Sequence, residues 1–215
     1  MAVPIIGLGA GGHAKVLLEI LRQNSEYDFV GLLDPRQQLW NHDIAGVKVL
    51  GGDNLISKLR ASGVDHAFIG LGGVGDNSQR ASIYNLMVEY GFKIVMSMHS
   101  RAIVSNSARI GNGVMIMAGA IINADAVIGN NVIINTGSIV EHDCVVGDHV
   151  HIASGACLAG GVWVGQNAHV GLGASVRQGV QIGQSSIIGA GAVVIKNVEP
   201  NTVVAGVPAT ILERN

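Results

Sequence analysis

Hydrophobic residues follow two different periods along the chain. Up to about residue 97, short apolar runs that end in Gly or Asp alternate with stretches whose apolar residues recur three or four places apart. The runs predict strands and the stretches predict helices, so this part is expected to form a small parallel α/β sheet. The predicted strands are Val3–Ile6, Phe29–Leu33, Val47–Leu50, Ala67–Ile69 and Lys93–Val95, and the predicted helices are His13–Arg22, Asn54–Leu59 and Asn77–Tyr90.

From Val104 onward the pattern is stricter. Every sixth residue up to Val194 is aliphatic, and a small residue or Val follows four places later, from Ala108 to Val198, through sixteen hexads. A helix would need a period of about 3.6 residues, so each hexad predicts one short strand and a turn. Three hexads close a triangular coil of eighteen residues, and stacked coils form a parallel β-helix of slightly over five coils.

Glycines repeat with the period of the coil. We interpret their column as a corner of the triangle, where the turn requires a residue without a Cβ atom. The two periods divide the chain into a predicted α/β domain over residues 1–97 and a predicted β-helix domain over residues 98–215. The glycines of the column are Gly111, Gly129, Gly147, Gly165 and Gly183.

Composition and charge exclude several classes of function. Charged residues make up 13% of the chain and Gly accounts for 31 residues, which argues against disorder and against a helix bundle. A net charge of −2 provides no basic surface for nucleic acid or an anionic membrane. Two cysteines cannot form a metal cluster alone, so no metal is expected. The first residues lack the basic start of a signal peptide, and no apolar run could span a bilayer, so we expect a cytoplasmic protein.

One histidine of the repeats stands beside two carboxylates. His142 follows Glu141 and precedes Asp143, and the residue one coil later is Gly160. An adjacent carboxylate can raise the basicity of an imidazole, and a glycine beside it leaves room for a thin substituent and exposes an N–H for an oxyanion. The cluster indicates a general base, although a solvated surface histidine is the plainer interpretation of any one of the outward histidines.

A glycine-rich turn lies near the start of the chain. The segment Gly7–Gly12 satisfies G-x-G-x-x-G between a predicted strand and a predicted helix, and Asp34 follows about twenty residues later. Alone, this motif favours a dinucleotide-binding dehydrogenase or an ordinary tight turn. The half-Rossmann-like unit is followed by repeats instead of a domain for hydride chemistry, which argues against a dehydrogenase.

Three segments together resemble one family. Ile5–Val16, Gly31–Asp34 and Asn135–Cys144, with the hexads and the closing segment Pro200–Ala209, look like the hexapeptide-repeat sugar acetyltransferases of the PglD/NeuD/PerB group. The resemblance implies a left-handed β-helix, a homotrimer and acetyl-CoA bound between subunits. It also implies N-acetylation of a nucleotide-linked amino sugar, typically at a 4-amino group as in GDP-perosamine or a UDP-4-amino sugar, for surface polysaccharide or glycan biosynthesis. O-acetylation of sialic acid is the alternative, and a non-catalytic β-helix that binds a nucleotide is a further one.

The resemblance also assigns residues to roles. It places the catalytic base on His142 and the carboxylate that raises its basicity on Asp143. The chain departs from the family at Pro35, which stands where relatives can carry a second acid. The identity of the nucleotide base is therefore left open. His169, one coil beyond His151, is interpreted as part of a surface column, with a functional role as the alternative, and His149 is interpreted as a structural corner residue beside Asn131 and Asn167. The implied acetyl-CoA contacts are His151, Gly160, Leu172 and Ala190, and the implied substrate contacts are Gly11, Gly12, His13, Asp34, Gly72 and Asn135.

Overall fold

The computed structural model describes residues 2–23 and 26–212. The chain divides into two compact units, one comprising Met1–Gly72 and Ser82–Ser97 and the other Gly73–Ala81 and Met98–Asn215. The segment Gly73–Ala81 does not follow the sequence-based division, because it packs with the second unit.

A mostly parallel sheet forms the first unit. Its strand order is β3-β4-β2-β1-β5-β6, and only the short edge pair β3–β4 is antiparallel. The sequence pattern predicted the parallel strands but missed the two-residue strand β3. The strands are β1 (Val3–Leu8), β2 (Tyr27–Leu33), β3 (Asp43–Ile44), β4 (Val47–Gly51), β5 (His66–Ile69) and β6 (Lys93–Ile94), and the helices are α1 (Gly12–Arg22), α2 (Ile56–Ala61) and α3 (Ser78–Glu89).

The carboxyl ends of the central strands carry the candidate nucleotide residues. Strand β1 pairs with β2 on one side and with β5 on the other, all in parallel. Glycines, Asp34 and Gly72 follow these three strands, so they gather at one edge of the sheet, where open α/β sheets bind their ligands. Helix α1 buries Leu17, Leu18 and Leu21 on one apolar face.

A parallel β-helix forms most of the second unit. Two-residue strands are spaced six residues apart and pair with the strand eighteen residues away, as Ile133 does with His151. They make three sheets, with the orders β25-β24-β22-β19-β16-β13-β10-β7, β23-β20-β17-β14-β11-β8 and β21-β18-β15-β12-β9. The strands are β7 (Ser97–Met98), β8 (Ile103–Val104), β9 (Arg109–Ile110), β10 (Met115–Ile116), β11 (Ile121–Ile122), β12 (Val127–Ile128), β13 (Ile133–Ile134), β14 (Ile139–Val140), β15 (Val145–Val146), β16 (His151–Ile152), β17 (Cys157–Leu158), β18 (Trp163–Val164), β19 (His169–Val170), β20 (Ser175–Val176), β21 (Gln181–Ile182), β22 (Ile187–Ile188), β23 (Val193–Val194), β24 (Val203–Gly206) and β25 (Ala209–Ile211).

The interior of the β-helix consists of the two repeating positions of the hexad. Large positions such as Ile134 and Leu158 and small positions such as Ala126 and Ala168 have 0% to 2% of their surface exposed. Towards its first coil, Val104, Ala108 and Ile110 are only partly buried. The predicted period and the inward faces of the hexads are therefore those of the structure.

The column of glycines exists, but the predicted reason for it is wrong. A Cβ atom on Gly111 would lie 2.7 Å from the backbone of Gly129 in the next coil, and one on Gly147 would lie 2.8 Å from the backbone nitrogen of Gln166. These glycines permit close stacking of coils and do not adopt a positive φ. The left-handed turn positions are occupied instead by residues such as Asn131 (φ 53°) and His149 (φ 62°).

The last two strands close the β-helix as an antiparallel pair, with Val204 opposite Ile211. Among the residues that the structure describes, no helix combines the length and the apolar character needed to cross a bilayer.

Candidate functional site

His142 and Asp143 form a hydrogen-bonded pair on the surface of the β-helix. The Nδ1 atom of His142 lies 2.7 Å from Oδ2 of Asp143. Because a carboxylate only accepts, Nδ1 carries the proton and Nε2 keeps its lone pair free to act as a base. The hydrogen bond to Asp143, followed by the negative charges of Asp143 and Glu141, raises the pKa of His142. The side chains are 56% and 66% exposed, so the pair is open to a substrate.

Gly160 lies directly against the imidazole of His142. An ideal Cβ atom on Gly160 would stand 2.6 Å from both Cε1 and Nε2 of the ring. The parallel coils bring these residues together, since Gly161 N–H donates to the carbonyl oxygen of His142. Among the described residues, no backbone carbonyl accepts a hydrogen bond from the N–H of Gly160. The Nε2 atom of His142 therefore lies beside backbone that carries no side chain.

A separate pocket of about 410 Å³ lies on another sheet of the same unit. It contains four of the residues that the resemblance assigned to ligands: Asn135, His151, Leu172 and Ala190. Gly73, Val74 and Gly75 form part of its lining. The structure thus brings these four residues together, whereas His142, Asp143 and Gly160 do not line this pocket.

Hydrogen bonds fix the tautomer of His151. Its Nδ1 atom lies 2.7 Å from the carbonyl oxygen of Gly73, so Nδ1 donates and carries the proton. Its Nε2 atom then accepts from the Nδ2 group of Asn135 at 3.0 Å, while Oδ1 of Asn135 accepts from the N–H of Thr136. Each partner fits the donor and acceptor roles of the others. The network orients Asn135 and His151 along one wall of the pocket.

The prediction that His169 belongs to a surface column is wrong, because both His151 and its neighbour His169 are buried. They are 6% and 7% exposed, and their rings meet edge to face with centroids 4.9 Å apart. The segment that begins at Gly73 contacts this face of the β-helix and covers it. Burial lowers the pKa of His169, as does the nearby positive charge of Arg80. His169 therefore supports His151 from the interior of the unit.

The same segment is attached to a column of left-handed corners. Arg80 is 1% exposed and donates to the carbonyl oxygens of Asn131 and His149. Asn77 donates to the carbonyl oxygens of Asn167 and Ala168 at 3.2 and 3.0 Å. Burial lowers the pKa of Arg80 to about 10, which still leaves the guanidinium charged near neutral pH. The predicted structural role of His149 agrees with its corner position, and this column holds the segment that lines the pocket.

The predicted nucleotide residues lie together in the first unit. Gly11 precedes α1 in an extended conformation without a side-chain cap, and Gly12 and His13 begin the helix. A Cβ atom on Gly72 would lie 3.7 Å from the side chain of His13. Asp34 is joined to the same turn, because its Oδ2 accepts from the N–H of Ala10 at 2.9 Å. Bare N–H groups at a helix start suit the phosphates of a nucleotide.

The carboxylate of Asp34 accepts hydrogen bonds from other residues of the chain. Arg36 donates to it from its backbone N–H at 3.0 Å, from Nε at 2.8 Å and from Nη2 at 2.7 Å. The pKa of Asp34 is lowered mainly by the hydrogen bond from the Arg36 side chain. Asp34 is only 2% exposed. The carboxylate is therefore ionised and joins the glycine-rich turn to Arg36.

The structure also bears on the buried cysteine and on possible metal ligands. Cys144 is buried in the β-helix, and burial raises the pKa of its thiol to about 11. Among the described residues, no group of three or more His, Cys, Asp or Glu side chains could hold a metal ion. The absence of a metal stays a prediction.

The contacts of Arg36, Asn77 and Arg80 were not predicted from the sequence. Arg80 carries a signal that could have been used: with Tyr84 and Met87 it falls at positions i, i+4 and i+7 of one buried helix face. A charged residue on such a face requires partners. No comparable signal marked Arg36, because its contact with Asp34 depends on the turn after β2.

A repeat of six residues wound into a parallel β-helix, with a histidine–carboxylate pair on its surface, defines a hexapeptide-repeat acyltransferase. The family profile described as bacterial transferase hexapeptide (six repeats) matches residues 107–142 and 125–160. The profile of the PglD N-terminal domain matches residues 4–87. Comparison with curated proteins gave no match.

Solved structures narrow the class. PerB from Caulobacter crescentus, solved in complex with CoA and GDP-perosamine, is 40% identical, covering 98% of this chain and 97% of its own, with a TM-score of 0.90. The acetyltransferase domain of PglB from Neisseria gonorrhoeae, solved with acetyl coenzyme A, is 33% identical, and the match covers 99% of this chain and 100% of that domain with a TM-score of 0.88. WeeI from Acinetobacter baumannii is 26% identical, and the match covers 98% of this chain and 100% of WeeI with a TM-score of 0.82. The chain belongs to the PglD/NeuD/PerB group of sugar acetyltransferases, and its β-helix is the left-handed one of that family.

Proposed function

We propose that the protein transfers an acetyl group from acetyl-CoA to the amino group, at the 4-position, of a nucleotide-linked amino sugar. The similarity to PerB in complex with CoA and GDP-perosamine supports this acceptor class. The observation that carries the proposal is the His142–Asp143 pair, whose reactive Nε2 lies beside the bare backbone of Gly160. A GDP-linked sugar is one candidate acceptor and a UDP-linked sugar is another.

His142 acts in this proposal as the general base. The lone pair of the sugar amine attacks the carbonyl carbon of the acetyl thioester, and the amine proton passes to Nε2 of His142. The C–S bond then breaks, and the proton leaves with the CoA thiolate as a thiol. The Gly160 N–H is free to donate to the oxygen that becomes negative during attack. Neither cysteine takes part, because the raised pKa of Cys144 and Cys157 keeps both thiols protonated.

Acetyl-CoA is proposed to contact His151, Gly160, Leu172 and Ala190. The nucleotide sugar is proposed to contact Gly11, Gly12, His13, Gly72 and Asn135, and Asp34 is proposed to belong to the same site without direct contact, because its oxygens accept hydrogen bonds from Ala10 and Arg36. The common pocket of His151, Leu172 and Ala190 supports the first assignment. Their open, partly apolar pocket suits a pantetheine arm. A homotrimer with acetyl-CoA between subunits is part of the proposal, as is a cytoplasmic location, where both substrates would be available. Light scattering that gives a single chain would contradict the trimer.

Release of free thiol from acetyl-CoA tests the function. The acceptors are UDP-, GDP- and dTDP-linked 4-amino sugars, with free and CMP-linked sialic acids as hydroxyl acceptors. We expect turnover on an amino sugar and a loss of about 100- to 10,000-fold in kcat for His142→Ala. His42→Ala, at an exposed histidine in the first unit, is the control and should keep full activity. Turnover only on sialic acids would replace the proposal by O-acetylation, and unchanged turnover in His142→Ala would remove the base.

A further inference from the structure

The carboxylate of Asp34 has little capacity left for a ligand. Its two oxygens accept four N–H groups of the chain, from Ala10 and from the backbone, Nε and Nη2 of Arg36. The residue is 2% exposed. A carboxylate in this state is a poor partner for a sugar hydroxyl, since it would have to exchange an internal donor for the ligand. Its evident effect is to fix Arg36.

Arg36 is held in one orientation with part of its donor surface free. The Nε and Nη2 atoms face Asp34, so the pair is bidentate along one side of the guanidinium plane. In the part of the chain that the structure describes, the other edge makes no hydrogen bond, which leaves one N–H of Nη2 and both N–H groups of Nη1. Two of these, one on each nitrogen, are parallel and point away from Asp34. The side chain is 51% exposed, so this edge is accessible.

The fixed edge lies at the nucleotide turn. A Cβ atom on Gly11 would stand 3.9 Å from Nη2 of Arg36, so the guanidinium borders the turn that begins α1. The ion pair with Asp34 neutralises the guanidinium, and a neutralised pair attracts a phosphate weakly. Its hydrogen-bond donors remain, and they suit an uncharged group with two adjacent acceptors.

Among nucleobases, guanine presents such a group in O6 and N7, which arginine binds through two N–H donors. Uracil and thymine separate their two carbonyl oxygens by an N–H donor, and adenine pairs N7 with a donor. Cytosine offers a second adjacent pair, O2 and N3, so CDP is the decisive competitor, but O6 and N7 of guanine are the pair that arginine binds most commonly. We infer that Arg36 determines nucleotide specificity by donating its outward N–H pair to O6 and N7 of guanine, with Asp34 as its positioning residue. This inference rests on the proposed function for the expectation of a nucleotide in this unit, and it selects a GDP-linked acceptor.

Calorimetric binding of free nucleoside diphosphates to the full-length protein tests the inference without any acetyl transfer. The probes are GDP, UDP, dTDP, CDP and 7-deaza-GDP, in which a C–H replaces N7. The variant Arg36→Lys keeps the positive charge beside Asp34 but loses the planar pair of donors. Arg22→Lys, on another element of the same unit, is the matched control.

GDP is expected to bind the unchanged protein about ten- to hundredfold more tightly than UDP, dTDP or CDP. Arg36→Lys should lose most of that preference while its affinity for UDP stays within about twofold, and Arg22→Lys should keep it. Replacing GDP by 7-deaza-GDP should weaken binding to the unchanged protein and have little further effect on Arg36→Lys, because the two changes remove one interaction.

Three results would overturn the inference: tighter binding of CDP or UDP than GDP, an equal loss for every nucleotide in Arg36→Lys, or full affinity for 7-deaza-GDP. An equal loss would identify a phosphate contact. Because turnover is measured separately, efficient acetylation of a UDP-linked amino sugar would keep the proposed function while removing this inference. Selective GDP binding without turnover on any acceptor would keep this inference and contradict the proposed function.

Discussion

Gly160→Ala is a direct perturbation of the candidate base. The new methyl group would lie 2.6 Å from Cε1 and Nε2 of His142 and 3.3 Å from Cδ2. Carbon atoms in contact prefer about 3.5–4.0 Å, so the ring has to retreat by about 1 Å. The backbone of Gly160 does not adopt a positive φ, and the ring is 56% exposed, so it can swing into solvent without disturbing the fold.

The retreat should stretch the 2.7 Å hydrogen bond to Asp143 and move Nε2 away from the reacting amine. Misplacing a reacting group by about 1 Å costs on the order of 100-fold in rate. We therefore expect kcat to fall about 100-fold in thiol-release assays, while the melting temperature changes little. The matched control is Gly161→Ala, where no atom lies within 4 Å of the new methyl group but φ is 66°.

The control should lose about 1–2 kcal/mol of stability from its strained backbone while the folded enzyme keeps its activity. A variant at Gly160 that loses rate but not stability, beside a variant at Gly161 that loses stability but not rate, would distinguish displacement of the base from general damage to the coil. Wild-type kcat in Gly160→Ala would refute the assignment of His142 as the base, and so would an equal loss of kcat in both variants.

Three further predictions follow from buried or coupled groups. Asp143 raises the pKa of His142, and the imidazole must be neutral to act as a base. The variant Asp143→Asn should therefore move the acid limb of the pH profile of kcat/KM to lower pH and reduce its plateau. An acid limb that does not move would show that Asp143 does not influence the base. Arg80→Met leaves the carbonyls of Asn131 and His149 without their donor and should lower the free energy of unfolding by about 2–4 kcal/mol in urea; unchanged stability would contradict the attachment of this segment. Burial raises the pKa of Cys144 to about 11, so thiol reagents at pH 8 should modify Cys157 well before Cys144, and rapid labelling of Cys144 in the folded protein would contradict its burial.

Most of the fold could be predicted from the hexad period. One large and one small inward position per six residues dictate a two-residue strand and a turn, and only stacked coils satisfy that rule over sixteen repeats. The pairing of His142 with Gly160 followed from the same arithmetic, because residues eighteen apart become neighbours in adjacent coils. Periodicity thus predicted contacts within the coil as well as its shape.

Contacts made by a non-repetitive segment could not be predicted in this way. His151 and His169 occupy outward positions of the repeat, and nothing in the repeat indicates that Gly73 would cover them. The glycine column shows a related limit. Its period was visible, but the sequence could not distinguish a left-handed turn from a close approach between coils, since glycine suits both.

Arg36 shows how a motif can mislead about which atom meets a ligand. The spacing of the glycine-rich turn and Asp34 predicts a carboxylate that contacts a ribose or a base. In the structure Arg36, two residues later, occupies both oxygens of that carboxylate. The motif identified the edge of the sheet, while the side-chain geometry decided which group is presented there.

The proposed reaction is acetyl transfer from acetyl-CoA to an amine of a nucleotide-linked sugar. The most direct test is the mass spectrum of the product formed from a GDP-linked 4-amino sugar, before and after treatment with hydroxylamine, which cleaves esters but leaves amides. We expect a nucleotide sugar that has gained one acetyl group, resists hydroxylamine and is absent when His142 is replaced by Ala. An acetyl group that hydroxylamine removes, or equal product from the His142 variant, would contradict the proposed reaction.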